Sequence, residues 1–154
     1  MLKRDKLKVI SGRADPAPAD YVLDAQAGFL MRVAMQRHTS IFMSAMIEDL
    51  TQTQFAVMAK LHEVGPSSQN HLGRLVYLDA ATIKGVVDRL GVRGFVTALA
   101  DPKDRRRRAV ALTERGREVT EAAMKVAAEI TAATLAPLTS DERRAVATLL
   151  KKLS

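Results

Sequence analysis

The sequence predicts a mainly α-helical chain with one small β-hairpin, an α+β arrangement in which helices flank a helix-turn-helix and its hairpin. Three observations predict it. Apolar residues recur at helical spacing along most of the chain. Two short β-prone runs, residues 95–99 and 109–112, break that spacing at one place only. The turn between them carries Asp101-Pro102-Lys103-Asp104 and four consecutive arginines, the mark of a hairpin with a basic tip.

Length and composition bound the possibilities. At 154 residues, with 47% hydrophobic and 27% charged, the chain is globular and of single-domain size. Its longest apolar run falls far short of a membrane span, so no membrane partner is expected. The first residues carry Lys3, Arg4, Lys6 and Lys8 without the apolar core of a secretory signal, and the expected location is the cytoplasm. With no cysteine, disulfides, thiolate metal sites and cysteine redox switching are excluded. The net charge of +7 is concentrated: residues 84–117 hold ten Lys/Arg against four Asp/Glu, whereas residues 1–83 and 118–154 are close to neutral. A local excess of this kind is the footprint of phosphate neutralisation, and nucleic acid is the partner it implies.

Element by element, residues 1–19 read as a flexible basic arm, because Lys and Arg there mix with Asp15-Pro16-Ala17-Pro18. A long first helix is expected over residues 20–47, which lack Pro and are rich in Ala, Leu and Met. It is apolar nearly all round, so part of its burial should come from a second subunit. Thr51 is the expected N-cap of a second helix, with Phe55, Met58 and Leu61 inward and Gly65-Pro66 as its stop. Ser67 or Ser68 caps a short third helix with Leu72, Leu75 and Val76 inward. Asp79 caps a fourth, with Ile83, Val86, Val87 and Leu90 inward and Gly94 as its left-handed end. Two short helices joined by a tight turn make a helix-turn-helix candidate. After the hairpin, Thr113 opens a long fifth helix with Val119, Ala123, Val126 and Ile130 on one side, interrupted by Pro137. Thr139-Ser140-Asp141-Glu142 has capping-box spacing, and Val146, Leu149, Leu150 and Leu153 give the sixth helix its stripe.

From about residue 50 to residue 153 these motifs resemble the MarR family of bacterial winged helix-turn-helix regulators. Asp101-Pro102-Lys103-Asp104-Arg105-Arg106 followed by Leu112-Thr113-Glu114-Arg115-Gly116 is similar to the family's wing signature. Leu50-Thr51-Gln52-Thr53-Gln54 resembles its second-helix motif, and Leu138 to Glu142 with Leu149 to Leu153 its C-terminal helix. The resemblance implies one domain over residues 20–154, with residues 20–47 and 113–154 as dimerisation helices and 51–112 as the winged lobe. It also implies a homodimeric repressor released by a small ligand. Around Lys84 and Gly85 the sequence departs from the usual polar or Arg pattern, so base preference does not transfer.

The site residues follow from these placements. A recognition helix enters the major groove with its N-terminal half, which here presents Ala81, Thr82, Lys84 and Gly85. Ser67, Ser68, Gln69 and Asn70, at the start of the third helix, combine backbone N–H groups with short polar side chains that can hold a phosphate. By resemblance, Arg105 or Arg106 reaches the minor groove, with Arg107 beside them. The expected operator is pseudo-palindromic double-stranded DNA.

On the first helix, Arg37 and His38 sit within or beside apolar stripes. A buried Arg needs an anionic or hydrogen-bonding partner. That partner is either a ligand, an aromatic carboxylate or acyl-CoA thioester cradled by Met31, Met35, Phe42 and Met46, or an acid such as Glu48, Asp49 or one from a second subunit. A metal-responsive regulator is the poorer alternative, because His38, His62 and His71 share no compact ligand spacing. Enzymatic motifs are absent from the sequence and no cofactor is expected. A non-specific architectural DNA binder fits the charge as well as a regulator does.

Overall fold

The computed structural model describes residues 21–100, 104, 106 and 108–154. The expected basic arm, together with Arg105 and Arg107, lies outside the described residues. The described residues fall into two compact units, divided between Ala34 and Met35. Its elements are a 3₁₀ turn (Leu23–Ala25), α1 (Ala27–Ala45), a second 3₁₀ turn (Ile47–Asp49), α2 (Gln52–Val64), α3 (Gln69–Leu75), α4 (Ala80–Val92), β1 (Val96–Ala100), β2 (Arg108–Leu112), α5 (Glu114–Thr134) and α6 (Ser140–Leu153).

The long first helix expected over residues 20–47 is shorter at both ends. Gln26 has extended backbone at φ −82°, ψ 130°, and its Nε2 donates to the Val22 carbonyl at 3.0 Å, so a separate 3₁₀ turn precedes α1. At the far end Met46 is extended, while Glu48 and Asp49 take φ of 55° and 47°. Such a left-handed pair cannot continue a right-handed helix. Within the first unit, Leu30, Met31 and Val33 remain half-exposed, and the Arg32 guanidinium lies 5.1 Å from the Phe29 ring centroid.

The core of the second unit gathers Phe42, Leu50, Val57, Met58, Leu61, Leu72, Ile83, Val86, Leu90, Phe95, Ala123 and Ile130. Local chemistry starts α2 to α6 where they begin. Thr51 Oγ1 accepts from the Gln54 amide at 3.2 Å while Gln54 Oε1 accepts from the Thr51 amide at 3.1 Å, a reciprocal capping box. Ser68, not Ser67, caps α3, its Oγ accepting from the His71 amide at 3.3 Å. Asp79 caps α4 and Gly94 ends it at φ 75°. Phe55, Leu75, Val76 and Val87 are only partly buried, whereas Val57 and Gln54 are buried in α2.

The hairpin is antiparallel, registering Val96 with Leu112 and Ala100 with Arg108. The first strand starts one residue later than expected because the Phe95 backbone is used elsewhere. Its amide donates to the Leu90 carbonyl at 3.0 Å and its carbonyl accepts from the Thr113 amide at 3.0 Å, which turns the ring into the core between α4 and α5. Thr113 Oγ1 both donates to the Gly94 carbonyl at 2.6 Å and accepts from the Gly116 amide at 2.9 Å. The buried face of α5 is Gly116, Thr120, Ala123 and Ile130, rotated from the expected one, since Val119 and Val126 are half-buried. Thr120 is tolerated there because its hydroxyl donates to the Gly116 carbonyl at 2.6 Å. Thr139 and Glu142 form the capping box of α6. Leu149, Leu150 and Leu153 of that helix are more than half exposed. Among the described residues no helix is long and apolar enough to cross a membrane.

Candidate nucleic-acid interface

The N-terminal half of α4 is built around its cap. The Thr82 amide donates to Asp79 Oδ1 at 2.8 Å and the Thr82 hydroxyl donates to Oδ2 at 2.9 Å. The amide bond first, and the hydroxyl second, hold the Asp79 carboxyl below the ordinary aspartate value. Thr82 therefore keeps only its hydroxyl lone pairs for an outside donor. Ala81, Thr82 and Lys84 are exposed. Lys84 Nζ lies 2.5 Å from Asp88 Oδ2, one helical turn on; this exposed pair is weak and can yield to a phosphate or base. A Cβ on Gly85 would meet only the end of the Arg89 side chain, at 3.4 Å.

At the start of α3 the four polar residues divide into two roles. Ser67 is nearly buried. Its amide donates to the Val110 carbonyl at 3.0 Å and its carbonyl accepts from the Val110 amide at 2.8 Å, which fastens the α2–α3 loop to β2. Ser68, Gln69 and Asn70 instead line an open concavity of about 480 Å³ together with Arg74 and Arg108. Both arginines are exposed and neither has a carboxylate partner among the described residues. Sequence reasoning did not select them. Arg74 follows Asn70 by four residues and so shares its helix face; Arg108 was visible as the last of the arginine run but its side of the strand was not. A second groove, lined by Asn70, Gly73, Arg74, Leu78, Ala80 and Ile83, continues from this concavity to the start of α4.

In the wing, the Arg106 amide donates to Asp104 Oδ1 at 3.0 Å, a local turn bond that leaves the exposed Arg106 side chain outward. Arg105 and Arg107 lie outside the described residues.

A separate cavity of about 230 Å³ is walled by His38, Phe42, Gln52, Phe55, Ala127, Ile130 and Thr131, from α1, α2 and α5. The Phe42 ring stands 6.2 Å from the His38 ring and 6.3 Å from that of Phe55. His38 Nδ1 is 2.9 Å from Thr134 Oγ1, and Gln52 Nε2 donates to Thr39 Oγ1 at 3.1 Å. Arg37 does not line the cavity. Its guanidinium donates to the carbonyls of Ala133, at 3.1 Å, and Thr134, so its partner is the C-terminal end of α5 and not Glu48 or Asp49. Met31 belongs to the first unit, where it is half-exposed. His62 pairs with Glu121 at 3.2 Å, and His71 is exposed.

A capped helix-turn-helix, followed by a hairpin tied back to it through Ser67, defines the winged helix-turn-helix class of DNA-binding proteins. The MarR family model matches residues 50–107. The HTH-type transcriptional repressor NicR of Pseudomonas putida is 40% identical over 141 residues, 89% of each chain. A probable transcriptional regulator from Pseudomonas aeruginosa shares the structure with a TM-score of 0.83 at 46% identity, covering 86% of this chain and 100% of that one. Bordetella bronchiseptica BpsR, whose DNA binding is regulated by 6-hydroxynicotinic acid, has a TM-score of 0.80 at 38% identity, over 86% of this chain and 96% of its own. This chain belongs to the MarR family and is a DNA-binding transcriptional regulator.

Proposed function

We propose that the chain is a homodimeric repressor of a pseudo-palindromic operator, released by a single-ring aromatic carboxylate. The observation that carries the release is the cavity itself, because its walls come from α1 and α5 on one side and from Gln52 and Phe55 of α2, the first helix of the winged lobe, on the other. A ligand seated there touches both the scaffold and the lobe, so it can favour one arrangement over another. Phe42 and Phe55 offer ring faces, and His38 and Gln52 offer polar groups to a carboxylate or ring substituent. At about 230 Å³ the cavity is smaller than the ~300–1,000 Å³ of drug-sized sites, which favours one ring over an acyl-CoA thioester. The relatives NicR, a repressor, and BpsR, whose DNA binding is regulated by 6-hydroxynicotinic acid, support the same reading.

In this reading Ala81, Thr82 and Lys84 meet base edges in the major groove. Ser68, Gln69 and Asn70, with Arg74 and Arg108, take backbone phosphates, and Arg105, Arg106 and Arg107 serve the wing's minor-groove contact. Arg37 and His38 tie α1 to the end of α5 beside the cavity, with His38 also reaching the ligand. The test measures the melting temperature and operator affinity of the protein with 6-hydroxynicotinate, benzoate and a CoA thioester. A single-ring acid should raise the melting temperature and release the DNA, and H38A should blunt both effects. Release by the thioester alone, or by neither acid, would sink the proposed effector class.

A further inference from the structure

Glu48 joins α1 to α2 in a left-handed conformation, φ 55°, followed by Asp49 at φ 47°. Two consecutive non-glycine residues in that region are strained and persist only where their surroundings hold them. Their surroundings are unusual. The Arg93 guanidinium donates to the Glu48 carbonyl and lies 3.6 Å from Glu48 Oε2. Arg115 approaches the same carboxylate oxygen at 3.9 Å. Both guanidiniums also sit over the Phe95 ring, at 4.7 and 5.3 Å from its centroid. Arg93 is the residue that closes α4 and Arg115 lies in the first turn of α5, so one carboxylate and one aromatic ring bring together the recognition helix, the α1–α2 connector and the start of α5.

We propose that Glu48, Arg93 and Arg115 are positioning residues that fix α4 against the α1–α2 connector, and that Arg93 makes no phosphate contact although it belongs to the basic stretch of the sequence. The inference rests on the DNA-binding reading. The single Glu48 carboxylate offsets one guanidinium charge, chiefly that of the partly buried Arg93, and leaves the outward work to residues such as Arg74 and Arg108. Removing it should loosen the aim of α4 and so erode discrimination between sequences, while the count of neutralised phosphates stays the same.

The test uses a duplex enriched from a random pool by the wild-type protein, and a scrambled duplex of equal length, each titrated across salt concentrations. R93A, which removes both bonds to Glu48, should weaken binding to the enriched duplex about tenfold, and E48G about threefold. Binding to the scrambled duplex should change less than twofold and both log-log salt slopes should hold. R108A, as the phosphate-facing comparison, should weaken both duplexes and reduce the slope by about 0.9. Glycine takes φ 55° without strain, so E48G keeps the connector folded, and any loss of folded protein would scale both duplexes alike. A slope reduced by about 0.9 in R93A, or an unchanged preference in both R93A and E48G, overturns the proposal. Failure to enrich any duplex overturns the DNA reading and the proposal with it.

Discussion

A single missing carbon decides how the base of the wing closes. A Cβ built on Gly116 would lie 1.9 Å from the Phe95 carbonyl oxygen and 2.8 Å from its carbonyl carbon. That oxygen already accepts the Thr113 amide, so it cannot move without breaking the start of α5. The obstacle is backbone, not the end of a flexible side chain, and overpacking of this kind costs about 3 kcal/mol or more. Gly91 gives the opposite expectation: it lies in α4 with nothing within 4 Å of an added Cβ, and alanine there gains up to about 1 kcal/mol of helix propensity. Urea unfolding should therefore show G116A strongly destabilised and G91A neutral to stabilised. Equal effects from the two would remove the argument from close approach.

At the scale of elements, most helix starts rest on one side chain meeting an amide three residues on: Thr51, Ser68, Asp79, Thr113 and Thr139. The Asp79 bond carries a pH dependence. Its carboxyl is held low in the folded state, chiefly by the Thr82 amide, so the stabilisation it gives is complete above the ordinary aspartate value and is lost as pH falls through the lowered one. Melting curves from about pH 6 to about pH 3 should show D79N less stable than wild type near neutrality and the two converging in acid. A constant gap across that range would show that the Asp79 charge is irrelevant. Because these caps are local, the helix boundaries they set were legible in the sequence. What escaped was long-range or non-apolar. Arg37 meets carbonyls 96 and 97 residues away, Ser67 pairs with Val110, and the buried face of α5 is turned by Gly116 and Thr120, which carry no hydrophobic signal. Of the face proposed to meet DNA, the exposed polar residues on α3 and α4 could be named from the sequence, whereas Arg74 and Arg108 come together in one concavity only through the fold.

For the whole molecule, the strongest demand comes from α6. None of its residues is buried within the chain, yet Leu149, Leu150 and Leu153 are 56%, 53% and 74% exposed, on a helix whose capping box and exposed polar residues otherwise suit it to water. Three leucines in five residues are more apolar surface than one exposed helix needs, and a symmetric copy would cover them. Operator affinity then depends on two lobes binding as one unit, since tethering a second site adds about 10²–10⁴ in avidity without any new contact. Replacing Leu149 and Leu153 together by Asp should leave the core of residues 35–154 folded, because neither side chain packs into the core of its own chain. The variant should sediment as a monomer and keep its affinity for a half-site, while losing about a hundredfold or more on the full operator. If it sediments as wild type does, α6 is not the surface that joins the copies. If it is monomeric yet binds the full operator with unchanged affinity, each lobe reads DNA alone and the pseudo-palindrome has no role in recognition.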